Sequence, residues 1–119
     1  MSLSGPHRAA FRREATREWR VFSLRDQKGY PLPRAADGTR TLPFWSKASR
    51  VYRVIDAVAV YRRFEVVSVE MDDWLDVWLP DLRDRGLLVG VNWAGERATG
   101  YDMPPETVGG WFAAPAVGG

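Results

Sequence analysis

The sequence contains no cysteine and a single histidine, His7. Without cysteine, disulfide bonds, thiolate nucleophiles and cysteine-based zinc sites are excluded. His7 lies in an arginine-rich N-terminal stretch with few large apolar residues, where it cannot be held as the rigid base that a Ser-His-Asp triad needs. Acid–base or metal chemistry would have to rest on carboxylates alone. We therefore expect a non-enzymatic protein without metal or cofactor, and we keep a carboxylate-based enzyme as an alternative.

Long apolar runs are absent as well. No stretch of about 18 apolar residues could span a membrane, and the first residues lack the apolar core of a signal peptide. We therefore expect a cytoplasmic protein without membrane contact. The 119 residues are enough for one domain with its own core. The composition predicts a flexible tail over residues 1–16, one domain over residues 17–112 and a second flexible tail over residues 113–119.

Charge is divided unevenly along the chain, although the net charge is only +2. Residues 1–63 carry 14 Lys and Arg against 5 Asp and Glu, a net charge of +9, whereas residues 64–119 carry 3 against 10, a net charge of −7. The two halves can attract each other within one fold. Alternatively, the basic half binds a small anionic ligand or nucleic acid. The arginines available for that purpose are Arg12, Arg13, Arg17, Arg20, Arg50 and Arg53.

The first third of the domain reads as strands. Residues 17–24 alternate apolar and charged side chains, which is typical of a strand. Asp37-Gly38 favours a tight hairpin turn, because both residues tolerate positive φ. This turn is predicted to connect an edge strand at Pro31–Ala35 to a strand at Thr41–Trp45, since the prolines restrict the first of these to an edge. The segment is therefore predicted to form an antiparallel meander.

Helical spacing begins after Ser46, which is placed to cap the first helix of the domain. A strand rich in β-branched residues follows at Phe64–Glu70. The next helix contains Pro80, which is expected to bend it, and ends at Gly86. The strand Leu87–Val91 is apolar on both faces, which indicates a central position in a sheet.

A last short helix can begin at Pro104-Pro105, because proline is tolerated in a first turn. The predicted order is β-β-β-α-β-α-β-α. This order indicates an α/β (α+β) fold, a single small domain with a mixed sheet that starts as an antiparallel meander.

Two short stretches resist a purely structural interpretation. Trp45, Ser46 and Lys47 lie where a strand leads into a helix, and Asn92 and Trp93 follow the predicted central strand. If the two strands are neighbours, these residues meet at one rim, where ligands often bind in sheets with parallel strands. We therefore predict a protein-binding site at this rim. Alternatively, Ser46 caps the helix, Asn92 turns the chain, and the two tryptophans fill the core.

Several motifs resemble one bacterial family. Leu42-Pro43-Phe44-Trp45-Ser46, then Trp-Leu-Pro-x-Leu at residues 78–82 and Gly-Val-Asn-Trp at residues 90–93, resemble the domain of unknown function 2750 family over residues 17–112. More distantly, the chain is similar to the SseB-type (enhanced serine sensitivity) domain. The first family has no established activity. The resemblance implies an interaction module with an unknown protein partner. A homodimer through an exposed sheet edge is a further possibility, because the proline-bearing strand protects only one edge; nucleic acid is the less favoured partner.

Overall fold

Helices and strands alternate through most of the chain. The computed structural model describes residues 4–35, 37–95 and 99–112. These ranges contain four helices and five strands, with both parallel and antiparallel pairs, which confirms the predicted single mixed α+β domain. The elements are, in chain order, α1 (Ser4–Glu18), β1 (Arg20–Arg25), β2 (Thr41–Phe44), α2 (Ala48–Ala57), β3 (Glu65–Glu70), α3 (residues 71–84), β4 (Leu88–Ala94), β5 (Thr99–Met103) and α4 (Pro105–Gly110).

Helix α1 occupies a segment that the sequence predicted to be a flexible tail. Phe11 and Ala15 of this helix are fully buried. The ring of Phe11 has its centroid 6.0 Å from the centroids of both Trp74 and Phe112. The prediction is therefore wrong for residues 4–16, because one large aromatic side chain suffices to anchor the helix to the core. The predicted tail at residues 113–119 lies outside the described residues.

The strands form two small sheets. In the first, β1 pairs antiparallel with β3, so that Arg20 lies opposite Glu70. In the second, the order is β2-β4-β5, with β2 parallel and β5 antiparallel to β4. Among the described residues, one antiparallel bridge joins the two sheets, since Phe22 and Trp45 exchange backbone hydrogen bonds of 2.8 and 2.7 Å.

The predicted N-terminal meander is wrong in its pairing. The segment Pro31–Ala35 forms only one isolated bridge, between Arg34 and Arg40. Proline has no N–H to donate, so this segment cannot build a ladder. The chain reverses at Asp37-Gly38 as predicted, but of these two residues only Gly38 has a positive φ, of +90°. The Asp37 carboxylate accepts a 2.9 Å hydrogen bond from the Thr39 N–H.

Strand β5 was not predicted. The predicted strand ended at Val91, but β4 continues to Ala94 past an irregularity in its pairing with β5. The sequence of β5 alternates only weakly and contains Gly100, both of which weaken a strand signal. The observed order is consequently α-β-β-α-β-α-β-β-α.

Helix α3 changes its winding in the middle. Two short α-helical pieces, Met71–Asp73 and Leu79–Asp84, flank a π-helical stretch at Trp74–Trp78. The Leu79 N–H reaches back five residues to the Trp74 carbonyl. Pro80 has no N–H for the normal hydrogen bond to residue 76. The distortion that the sequence predicted for this helix therefore takes the form of a widened turn just before Pro80.

The core consists of two apolar clusters. The larger one contains Phe11, Phe44, Trp74 and Phe112. The smaller one is built around Trp45 and Trp93, together with α2 residues. The predicted last helix is confirmed as α4, and it carries Phe112 into the larger cluster. No helix among the described residues is long and apolar enough to cross a membrane.

Candidate functional site

Parallel pairing of β2 with β4 brings the predicted site residues together. The Ser46 N–H donates a 2.9 Å hydrogen bond to Asn92 Oδ1, and Asn92 Nδ2 donates a 3.0 Å bond to Ser46 Oγ. Trp45 Nε1 donates a 2.7 Å bond to the Trp93 carbonyl. The proximity that the sequence predicted is therefore present in the structure.

These residues lie inside the protein and not at an open rim. Trp45, Ser46, Asn92 and Trp93 are all buried, and only Lys47 is exposed. A partner docked on the surface cannot contact the four buried side chains without rearrangement of the fold. The two tryptophans fill the smaller apolar cluster, as the structural alternative predicted.

Ser46 does not cap α2, which corrects one part of that alternative. The N-cap position is Lys47, and no side chain caps this helix. The Ser46 hydroxyl instead donates a 2.6 Å hydrogen bond to Glu14 Oε1. Asn92 does turn the chain, with a φ of +48°, a left-handed conformation that asparagine tolerates better than most residues.

Glu14 and Arg50, both part-buried, complete this polar group. Sequence reasoning missed Glu14 and assigned Arg50 to binding of an anionic ligand. Arg50 donates two hydrogen bonds to the Glu14 carboxylate, of 2.8 and 2.7 Å. This pairing is the main cause that lowers the pKa of Glu14 to about 2, and it also raises the pKa of Arg50. We call Glu14, Ser46, Arg50 and Asn92 the Glu14 hub. The hub links α1, the entry to α2, and β4.

The chemistry of the Glu14 hub suits a structural role better than acid–base catalysis. A base that abstracts a proton near neutral pH needs a pKa close to that pH, whereas the Glu14 carboxylate is held far below it. The α1 helix, which carries Glu14, also covers Ser46 of the hub. The sequence signal that could have revealed it is the spacing of Phe11, Glu14 and Ala15, which places all three on one side of a helix.

An open groove lies elsewhere on the molecule, between the segment around Tyr30 and α3. Its volume is about 520 Å³, within the range of roughly 300–1,000 Å³ that is typical of ligand sites. Tyr30 and Trp78 meet edge to face, with ring centroids 5.3 Å apart. We call this hollow the Trp78 groove. Its apolar lining consists of Tyr30, Leu32, Leu42, Val77, Trp78, Leu82 and Leu87.

The end of α3 shapes one wall of the groove. Gly86 has a φ of +71°, its N–H bonds to the Arg83 carbonyl at 3.0 Å, and the Leu87 N–H bonds to the Leu82 carbonyl at 2.9 Å. This is a Schellman motif, in which the residue after the glycine packs against the last helical turn. The predicted helix end at Gly86 is thereby confirmed, and it places Leu82 and Leu87 side by side.

Three charged residues also line the groove: Lys28, Asp81 and Arg85. Arg85 Nε lies 2.9 Å from Asp81 Oδ2. A second hollow of about 390 Å³ shares Arg85 and Leu87 with the groove and adds Arg40. One arginine therefore faces an apolar hollow on one side and a polar hollow on the other.

Opposite charges on the two halves of the chain are rarely paired. Among the described residues, a single ion pair joins the halves, between Arg25 and the exposed Glu65 at 3.9 Å. On α1, Arg12, Arg13 and Arg17 are exposed and make no ion pair within the described ranges. The expected attraction between halves therefore does not take the form of a network of ion pairs.

The fold and the site define a small mixed α+β domain with a buried polar hub and an exposed apolar groove. The family described as "Protein of unknown function (DUF2750)" matches residues 8–109, and the chain belongs to this family. The match begins within α1, so that helix is part of the family domain. No curated protein and no solved structure matches the chain, and the predicted likeness to the SseB-type domain is not shown. The described residues contain no group of three or more His, Asp or Glu that could hold a metal ion.

Proposed function

We propose that the protein is a non-enzymatic protein-binding module, and that the Trp78 groove receives apolar side chains of its partner. The observation that carries this proposal is an open groove with a mainly apolar lining. Concave apolar sites with aromatic walls are where protein partners gain most of their binding energy. Val77 at the rim is 60% exposed, so it is accessible to a partner.

The non-enzymatic part of the proposal rests on the available chemistry. The groove contains one carboxylate, that of Asp81, and Arg85 already neutralises it. The part-buried carboxylate of Glu14 is paired with Arg50 and is a weak base. We also propose a cytoplasmic location, because a cysteine-free sequence suits a reducing compartment.

Two matched valine variants test the groove. Val77→Asp places a charge at the groove rim, whereas Val60→Asp makes the same change at an exposed valine of the 3-10 turn after α2, which does not line the groove. In an affinity pull-down from a bacterial lysate, the wild type and Val60→Asp should retain the same partner and Val77→Asp should lose it. Thermal unfolding of all three proteins controls for folding. Identical retention by folded Val77→Asp would contradict the proposal.

A second candidate function is supported by the exposed face of α1. Arg12, Arg13 and Arg17 are available to an anionic partner such as nucleic acid. Binding of this kind weakens steeply as salt rises, because phosphate contacts release counterions. We expect replacement of all three arginines by glutamine to abolish retention on a DNA column at low salt, with Arg62→Gln/Arg63→Gln as the control. A wild-type protein that does not bind at low salt would exclude this candidate.

A further inference from the structure

We infer that the Trp78 groove recognises the free C-terminal end of a partner polypeptide whose last side chain is apolar. This inference rests on the proposed function and specifies the part of the partner that binds. The apolar side chain would occupy the groove, and the terminal carboxylate would lie against Arg85, the charged residue that lines both adjoining hollows.

Arginine donors are available at this boundary. Arg85 uses Nε for Asp81, and its two terminal nitrogens have no partner within the described part of the chain. Arg40, in the adjoining hollow, donates one hydrogen bond of 3.2 Å to the Leu32 carbonyl. The edge formed by the two terminal nitrogens of a guanidinium suits a carboxylate, because the two groups can form parallel hydrogen bonds.

The charge of the site fits a single negative group. The groove lining holds Lys28 and Arg85 against Asp81, a surplus of one positive charge. Adding Arg40 and Asp37 from the second hollow leaves that surplus unchanged. A carboxylate carries one negative charge, whereas a phosphate group carries nearly two.

The position of Arg85 next to the apolar groove favours the C-terminal end of a polypeptide as the ligand. Arg85 and Leu87 line both hollows, so the anionic group must be attached close to the apolar group that fills the groove. At a polypeptide C-terminus, the carboxylate is separated from the last side chain by a single Cα atom. A side-chain carboxylate on a neighbouring residue and a small apolar acid are the alternatives that the experiment separates.

Asp81 gives the inference a distinctive signature. Its carboxylate occupies one edge of Arg85 and repels an incoming anion. Removing that charge by Asp81→Asn should tighten binding of a carboxylate by about threefold, a modest gain typical of a solvent-exposed charge interaction. A purely structural role for the Asp81–Arg85 pair predicts no gain.

The test is an NMR titration with defined peptides. The probes are Gly-Ser-Gly-Ser-Ala-Leu and Gly-Ser-Gly-Ser-Ala-Phe, each as the free acid and as the C-terminal amide. Free acids should shift the Trp78 indole signal in a saturable way, and the amides should bind at least about tenfold more weakly, because a charge-assisted hydrogen bond is lost. Arg85→Gln should weaken binding of the free acids by a similar factor. The control variants Arg83→Gln and Asp84→Asn, which disrupt a neighbouring exposed ion pair, should leave the affinity unchanged.

Several results would overturn the inference. Equal affinity of acid and amide, an absence of saturable shifts, or binding that Asp81→Asn weakens would each do so. N-acetyl-leucine that binds as tightly as the hexapeptide would assign the site to small apolar acids instead. If the peptides fail while Val77→Asp still loses the captured partner, only the chain-end inference fails. If Val77→Asp retains every captured protein, the groove proposal itself fails.

Discussion

The Glu14–Arg50 pair should make the stability of the fold depend on pH in a defined window. Neutralising the carboxylate by Glu14→Gln leaves Arg50 without its counterion while keeping the size of the side chain. A pKa lowered from 4.5 to about 2 corresponds to roughly 3 kcal/mol of folding free energy at neutral pH, at about 1.4 kcal/mol per pKa unit.

Partial solvent exposure reduces this figure. The Glu14 side chain is 12% exposed and that of Arg50 is 32% exposed, so water screens part of the interaction. We expect Glu14→Gln to lower the free energy of unfolding at pH 7 by about 2 kcal/mol. For a chain of this length, that corresponds to a fall of about 8 °C in Tm.

The sign of the pH dependence follows from the direction of the pKa shift. The folded-state pKa of Glu14 lies below the unfolded value of 4.5. The contribution is therefore fully present above about pH 4.5 and is lost as the pH falls towards 2. The difference between wild type and Glu14→Gln should shrink by more than half between pH 7 and about pH 3.

Urea unfolding followed by tryptophan fluorescence measures this difference at each pH. Glu18→Gln is the matched control, because Glu18 is an exposed carboxylate one turn further along α1. It should change the stability by less than about 0.5 kcal/mol. A loss for Glu14→Gln that is equally small at pH 7, or that is unchanged at pH 3, would refute the reasoning.

Three further substitutions test three different physical effects on stability: a steric clash, the loss of a hydrogen-bond partner, and backbone strain. Gly90→Ala should destabilise by about 3 kcal/mol, because a Cβ there would lie 2.5 Å from the Trp93 ring; a fall in Tm below a few degrees would contradict this. Asn92→Ala should lower the free energy of unfolding in urea by about 2 kcal/mol, since it orphans the buried Ser46 N–H and places alanine at a positive φ; a loss below about 0.5 kcal/mol would contradict this. Gly86→Ala has open space but a positive φ, so its cost should be only about 1 kcal/mol by the same assay.

Local signals predicted the ends and distortions of elements well. Gly86 ends α3 because it adopts a positive φ, and Pro80 lies directly after the widened turn because it lacks an N–H. Asp37-Gly38 reverses the chain as expected. Each of these outcomes depends on the backbone chemistry of one or two residues. That chemistry follows from the residue type alone, so it can be predicted from the sequence.

Burial of the predicted site could not be derived in the same way. Whether the end of a strand is open to solvent depends on what covers it, and α1 covers Ser46 through Glu14. A segment with one large apolar residue was predicted to be a tail, so the rim was expected to be exposed. The error on α1 therefore accounts for the missed Glu14 hub and for the unexpected burial of Ser46, whereas Trp45 and Trp93 are buried by the smaller cluster that includes α2 residues.

The Trp78 groove escaped prediction for a different reason. Leu32 and Tyr30 belong to a segment with two prolines that forms no ladder, so no hydrophobic period marks it as part of the fold. Trp78 and Leu82 lie on the inner, apolar side of α3, where they pack in the larger cluster. The sequence does not reveal that the apolar side of α3 extends beyond the core, where other elements cover it only partly.

Alternation along β2 explains how one motif serves the groove and the hub at once. Leu42 lines the groove, and Phe44 contacts Trp78 with ring centroids 5.9 Å apart. Trp45, the next residue, points into the smaller cluster on the other side of the sheet. Successive strand residues face opposite sides. In the Pro-Phe-Trp-Ser motif, the Phe44 ring therefore supports the back wall of the groove. The Trp45 ring, on the other side of the sheet, anchors the turn that leads into the Glu14 hub. The motif is therefore explained by packing, and the search for a partner belongs at the surface that it supports.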